Sequence, residues 1–178
     1  MFRNSPARSP TRDCSTTVHG SRRGLGFSFG FNQAEDERHS LSGAALIRLL
    51  VDVVAKNGNL LINVGPAADG SIPELQRRAM RELGTWLAVN GDAIYGTRPW
   101  IRMGERTGAP RRYTTTGATV LVHALDPSTG TLELPEELLG SDLRWTDGSV
   151  VERQAHDQAV AVIPAGLREE AVAVLSAG

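Results

Sequence analysis

From Gly24 onward the chain alternates between two hydrophobic periods. Phe27, Phe29 and Phe31 alternate with Ser28 and Gly30, a period of two that predicts a short strand. Asn32 to His39 is polar and acidic and predicts a loop. Ser40 or Ser42 is placed to cap a helix starting near Gly43, with Leu46, Leu49, Leu50, Val53 and Val54 on its apolar face and Asn57–Gly58 as its stop. Asn59 to Val64 is apolar on both faces, as in a parallel strand, and ends at Gly65–Pro66. Asp69–Gly70 predicts a turn. Ser71 and Glu74 have capping-box spacing, with Pro73 suited to the first turn of a helix. Leu75, Ala79, Leu83, Trp86 and Leu87 form that helix's stripe, and Asn90–Gly91 closes it.

After Trp100 the period switches to two. Strands are predicted at 111–116, 119–125, 131–134, 142–145, 159–163 and 171–175, separated by turn residues such as Asp147–Gly148 and Pro164–Gly166. The predicted fold class is therefore α/β followed by all-β: the end of a larger strand–helix layer over 24–100, then a small antiparallel β-sandwich over 101–178, with the boundary at Pro99–Met103. A complete eight-fold barrel needs about 250 residues, more than this segment holds.

Composition changes this picture mainly at the start. Residues 1–23 hold five Arg, frequent Ser and Thr, one acid and no apolar run, which predicts an unstructured leader without a secretory signal. The net charge of −1 gives no global attraction to nucleic acid or anionic lipid. No apolar run is long enough to span a bilayer, so the expectation is no membrane partner and, by default, a cytoplasmic location. Cys14 is the only cysteine, which precludes an internal disulfide.

Candidate chemistry is sparse. His19, His39, His123 and His156 are scattered, with no pair at ligand spacing, so no metal and no cofactor is expected. Gly24, Gly26 and Gly30 do not match a dinucleotide fingerprint, and no nucleophile elbow is present. Glu35, Asp36 and Glu37 follow the aromatic segment, where loops at strand ends carry active sites in parallel barrels. A carboxylate pair there could do acid–base work, although a charge run is ordinarily a solvated face. Asp69 lies in the next such loop but reads as a turn residue. One of the Phe residues could stack on the apolar side of a sugar; core packing is the simpler role.

Four stretches carry a family resemblance: SFGFN (28–32), LLVDVVAKNGNLLINVGP (49–66), ADGSIPELQ (68–76) and LGTWLAVNGDAIYGTRPW (83–100). In this order and spacing they resemble the α-L-fucosidases of glycoside hydrolase family 29. The resemblance runs from about Arg23 to Trp100 and continues weakly through the β-rich tail. It implies a (β/α)8-type catalytic barrel followed by a β-sandwich, with 27–31 in or leading into the seventh barrel strand and 59–64 as the eighth. It implies retaining hydrolysis of terminal α-L-fucosides without metal or organic cofactor, with an Asp nucleophile and, in many members, a Glu acid/base.

By resemblance, Phe29 matches the aromatic residue that contacts the fucose C6 methyl, and Asn63 faces the same end of the barrel. The family nucleophile lies upstream of anything here. The acid/base Glu would fall near Ser5, whereas the first Glu in this chain is Glu35. No catalytic residue is therefore expected within the chain, and residues 1–22 carry no resemblance. The expectation is a C-terminal fragment whose ligand is a fucosylated glycan or glycoside, poorly soluble alone or associating as an oligomer or with a complementing N-terminal half. The other readings are a structural half of a split barrel and a non-catalytic carbohydrate-binding module using Trp100 or Trp145.

Overall fold

A computed structural model describes residues 19–26, 28–105, 110–154 and 157–178. Its first part is a mixed α/β layer. Strand β1 (His19–Gly24) pairs in parallel with β2 (Gly58–Asn63), in a register that sets Gly24 beside Asn63. Helix α1 (Gly43–Ala55) connects the two strands, and α2 (Glu74–Asn90) follows β2.

The first strand is not where the Phe alternation predicts it. Residues 28–31 are bends and coil, Phe27 lies outside the described residues, and β1 occupies 19–24. All of β1 but Gly24 therefore falls within the span expected to be an unstructured leader; the rest of that span, Cys14 included, lies outside the described residues. The polar sequence HGSRRG forms a strand because β2 supplies a partner edge, a tertiary effect that overrides local propensity.

Helix α1 starts as predicted, with Ser42 accepting a hydrogen bond from the Ala45 amide at 3.2 Å. It ends on Asn57, which takes the left-handed conformation (φ 60°) expected of a helix stop, while Gly58 already belongs to β2. Its buried positions include Ile47, Val51 and Ala55, outside the predicted stripe, because it is packed from two sides. The capping box predicted for α2 does not form. Pro73 is the N-cap without a side-chain bond, and Ser71 bonds Asp69 instead. Two polar residues, Gln76 and Asn90, interrupt the buried stripe of α2 at Ala79, Leu83 and Trp86.

Among the described residues the second part contains eight strands where six are predicted. A five-stranded antiparallel sheet runs β3 (Arg98–Glu105), β4 (Arg111–Thr116), β5 (Thr119–Ala124), β10 (Ala173–Ala177), β7 (Leu143–Trp145); a three-stranded sheet runs β6 (Thr131–Glu133), β9 (Asp157–Val162), β8 (Glu152–Gln154). The unpredicted strands are β3 and β8. The Pro99–Met103 boundary lies inside β3, whose Arg98 and Pro99 pair with Thr115 and Thr114.

The two antiparallel sheets share one core, with Tyr113, Val122, Trp145 and Leu175 from the larger and Leu132 and Ala161 from the smaller. The opposite face of the larger sheet presents Leu121 and Val174 to α1 and α2. The helices thus lie between the parallel pair, through Leu60 and Ile62, and the five-stranded sheet. Polar bonds fix the contact. Asp52 of α1 pairs with Arg112 of β4 at 2.6 Å, and the Trp86 indole donates to the Val172 carbonyl at 2.9 Å.

Candidate functional site

The parallel pair sends two loops from the same end. Leu25 leaves β1 fully buried in the helix-side core, and its carbonyl accepts from the Leu41 amide at 2.7 Å. That bond closes the base of the loop that follows β1. The second loop, 64–73, leaves β2 beside it.

Contacts between these loops place the sequence-predicted residues. Phe29 is 66% exposed and Phe31 44%, so neither belongs to a core. Asn63, at the last position of β2, donates its side-chain amide to the Phe29 carbonyl. The structure therefore brings Asn63 and Phe29 together at the strand end. Gly65 lies so close to the neighbouring loop that a Cβ there would stand 2.6 Å from the Gly30 carbonyl carbon and 2.7 Å from the Phe31 nitrogen. Only glycine permits that approach.

The acidic residues have structural partners. Glu35 is half-buried, unlike Asp36 and Glu37, and accepts from the Gln76 amide at 3.3 and 3.4 Å. Asp36 folds its own turn by accepting from the amides of Arg38 and His39, and it pairs with the His39 ring at 2.8 Å. Glu37 pairs with Arg78 of α2 at 3.0 Å. Asp69 accepts from the Ser71 hydroxyl and amide, which hold its carboxyl below the usual range. These are the bonds of a turn, and a general acid needs the opposite shift.

Sequence reasoning missed Gln76. It is 2% exposed, and its carbonyl accepts from the Gly65 amide at 2.9 Å. The available signal was a polar residue on the buried stripe of α2, which ordinarily means a specific hydrogen-bond duty. Among the described residues no group of three or more His, Cys, Asp or Glu could hold a metal, and no helix is long and apolar enough to cross a membrane. His156 and the His19 side chain lie outside what is described.

The two Trp residues named for a carbohydrate-binding module, Trp100 and Trp145, pack in or against the sandwich core. Trp145 is 1% exposed within the core, so it cannot offer a face to a ligand. Trp100 packs against that core with its ring centroid 5.2 Å from that of Tyr113. A cleft of about 600 Å³ between α2 and the segment entering β10, lined by residues such as Trp86, Val89, Glu170 and Val172, includes no residue of the strand-end loops.

Residues 4–92 match the family model described as alpha-L-fucosidase. The match begins well before Arg23, so family likeness extends into the segment expected to lack it. Plasma alpha-L-fucosidase of Rattus norvegicus is 36% identical over 145 residues, covering 71% of this chain and 32% of that protein. Alpha-L-fucosidase of Branchiostoma floridae is 37% identical over 108 residues, covering 60% of this chain and 24% of that protein.

Among solved structures, Thermotoga maritima alpha-fucosidase in complex with fucose superposes with a TM-score of 0.78 at 36% identity, over 90% of this chain and 40% of that one. The same enzyme with a mechanism-based inhibitor gives 0.80 at 35% identity, over 93% and 41%. The chain thus spans about a third or less of the curated relatives named here and about two fifths of the superposed structures.

Proposed function

The chain belongs to the α-L-fucosidase family, and from that premise we propose that it carries one wall of a fucose site, the wall that meets the C6 methyl group, without the carboxylates that cleave the glycoside. The observation that carries this reading is the exposed Phe29 ring, with its backbone tied to Asn63 at the end of two parallel strands. Parallel α/β folds place their sites at that end. A methyl substituent binds by leaving water against an apolar surface, and an exposed aromatic ring on a braced loop supplies one.

The β1–β2 pair is read as the last two strands of a (β/α)8-type barrel. Leu61 of β2 is 61% exposed on the face opposite the helices, and Asn59 is exposed beside it. Parallel sheets are ordinarily covered on both faces, so this face fits the side on which the remaining strands of the barrel would close. Retaining hydrolysis needs two carboxyl groups about 5 Å apart, one ionised for attack and one protonated for the leaving oxygen. Glu35, Asp36, Glu37 and Asp69 are committed to Gln76, a loop turn, Arg78 and Ser71. The whole-protein reaction is therefore assigned to a fuller barrel, with a terminal α-L-fucoside as substrate.

The test is hydrolysis of a chromogenic aryl α-L-fucoside by the purified 178-residue chain. The expected result is no turnover above the uncatalysed rate. Turnover abolished by Glu35→Gln, Asp36→Asn or Asp69→Asn would overturn the assignment of these carboxylates to structure.

A further inference from the structure

The geometry points to Gln76 as a positioning residue for the fucose-methyl wall, acting from α2 through both strand-end loops. The inference rests on the reading of Phe29 as that wall. Gln76 uses both halves of its amide. Its carbonyl accepts from the Gly65 amide at 2.9 Å, fixing the loop after β2, and its NH2 donates to both Glu35 oxygens, fixing the loop after β1. Those loops meet beside Phe29, where Gly65 abuts the Gly30–Phe31 backbone and Asn63 holds the Phe29 carbonyl. The Glu35 carboxylate lies against Gly26, at the other end of the turn that carries Phe29. Bonds on each flank therefore converge on one buried side chain.

A buried amide is costly unless its donor and acceptor are both engaged, so the bonding pattern admits one arrangement of the two loops. Leucine at 76 matches the volume and keeps the stripe apolar but serves neither loop. Glutamate at 76 could still accept from Gly65 but would face Glu35 with like charge. The consequence for recognition is specific. A wall set in place distinguishes a sugar bearing the methyl group from one lacking it; a wall free to move does so less.

The experiment compares the affinities of the full chain for L-fucose and for D-arabinose, the pentose with the same ring configuration but no C6. In the wild-type chain L-fucose is expected to bind about fourfold tighter, the ratio that follows from burying one carbon at about 0.8 kcal/mol. Gln76→Leu is expected to bring the ratio below about twofold, with D-arabinose affinity little changed. Glu35→Leu breaks the same link from the half-buried loop side, with circular dichroism checking that the fold is kept, and is expected to do likewise. Gln76→Glu is expected to lose the ratio, and adding Glu35→Gln to restore it in part, because donor and acceptor have then exchanged places.

A merely structural role would lower both affinities together and leave the ratio intact. A wild-type preference that survives both leucine variants overturns the role of Gln76 alone. No wild-type preference overturns the reading of Phe29 beneath it, and the role of Gln76 with it.

Discussion

At the scale of single residues, the buried polar side chains are the most informative, because each needs a partner and so fixes an arrangement. His123 is fully buried on β5, with its Nε2 2.9 Å from the Thr114 hydroxyl. That hydroxyl donates to the Ala93 carbonyl, so it accepts from His123 and the ring carries its proton on Nε2. Nδ1 has no hydrogen-bond partner among the described residues, and burial pushes the imidazole down from 6.5 to about 3. The unfolded chain takes up a proton below about 6.5 and the folded one does not until about 3. Stability is then fully present above 6.5 and declines as pH falls between those values. Urea midpoints at pH 7.5 and pH 5 should show a loss of about 2 kcal/mol at most in the wild-type chain. His123→Gln keeps a donor for Thr114 and should reduce that loss; an equal loss in both proteins would show that His123 is not the group responsible.

At the scale of elements, hydrophobic period was a good guide wherever local sequence decides the outcome. Helix α1 and strands β4 and β5 begin within a residue of their predicted positions, while α2 begins two residues later than a Ser71 cap would start it. The failures were tertiary. Strand β1 is polar and exists through its pairing with β2, whereas Phe29 and Phe31, whose alternation imitates a strand, lie exposed in a loop. Strand β3 was hidden in the expected boundary because an edge strand with Arg98, Ile101 and Arg102 exposed lacks a clean period of two. Of the site, Phe29 and Asn63 came from family resemblance and not from pattern, and Gln76 was invisible to a search for apolar stripes.

The caps separate sequence expectation from structure. Ser42→Ala should destabilise the chain by about 1 kcal/mol, since it removes a bond to the Ala45 amide. Ser71→Ala should cost less than about half as much, because Ser71 caps no helix and its bonds to Asp69 are exposed. Chemical denaturation of the two variants decides the matter, and a larger loss for Ser71→Ala would restore the capping box. Asp52 joins elements. Burial raises its carboxyl, but Lys56 and Arg112 together hold it below 3.8. Asp52→Ala leaves the half-buried Arg112 without this partner and should cost about 2 kcal/mol at neutral pH. That difference should persist above about pH 4 and shrink as the pH falls through the lowered value, because the wild-type carboxyl then takes up a proton. A difference unchanged at low pH would mean that packing, not charge, is lost.

At the scale of the whole molecule, the five-stranded sheet is the middle layer, covered by the smaller sheet on one face and by both helices on the other. This joins the α/β part and the antiparallel part through Leu121, Val174, Trp86 and the Asp52–Arg112 pair. Leu175, with no exposed surface at the centre of that sheet, should cost about 2–5 kcal/mol when changed to Ala. Far-ultraviolet circular dichroism and Trp fluorescence should report the same shifted transition, as one cooperative unit requires. Separate transitions would divide the molecule at β3.

The strand-end loops hang from this layered body, and α2 links them to it. If Phe29 forms the fucose wall, a sugar methyl group lands on its ring. Saturation-transfer NMR of L-fucose with the 178-residue chain measures this directly. The C6 methyl protons should receive the strongest saturation of any fucose protons, and Phe29→Ala should remove that preference while leaving the fold intact by circular dichroism. Uniform or absent transfer in the wild-type chain, or a methyl preference unchanged by Phe29→Ala, would contradict the assignment of this loop to the fucose wall.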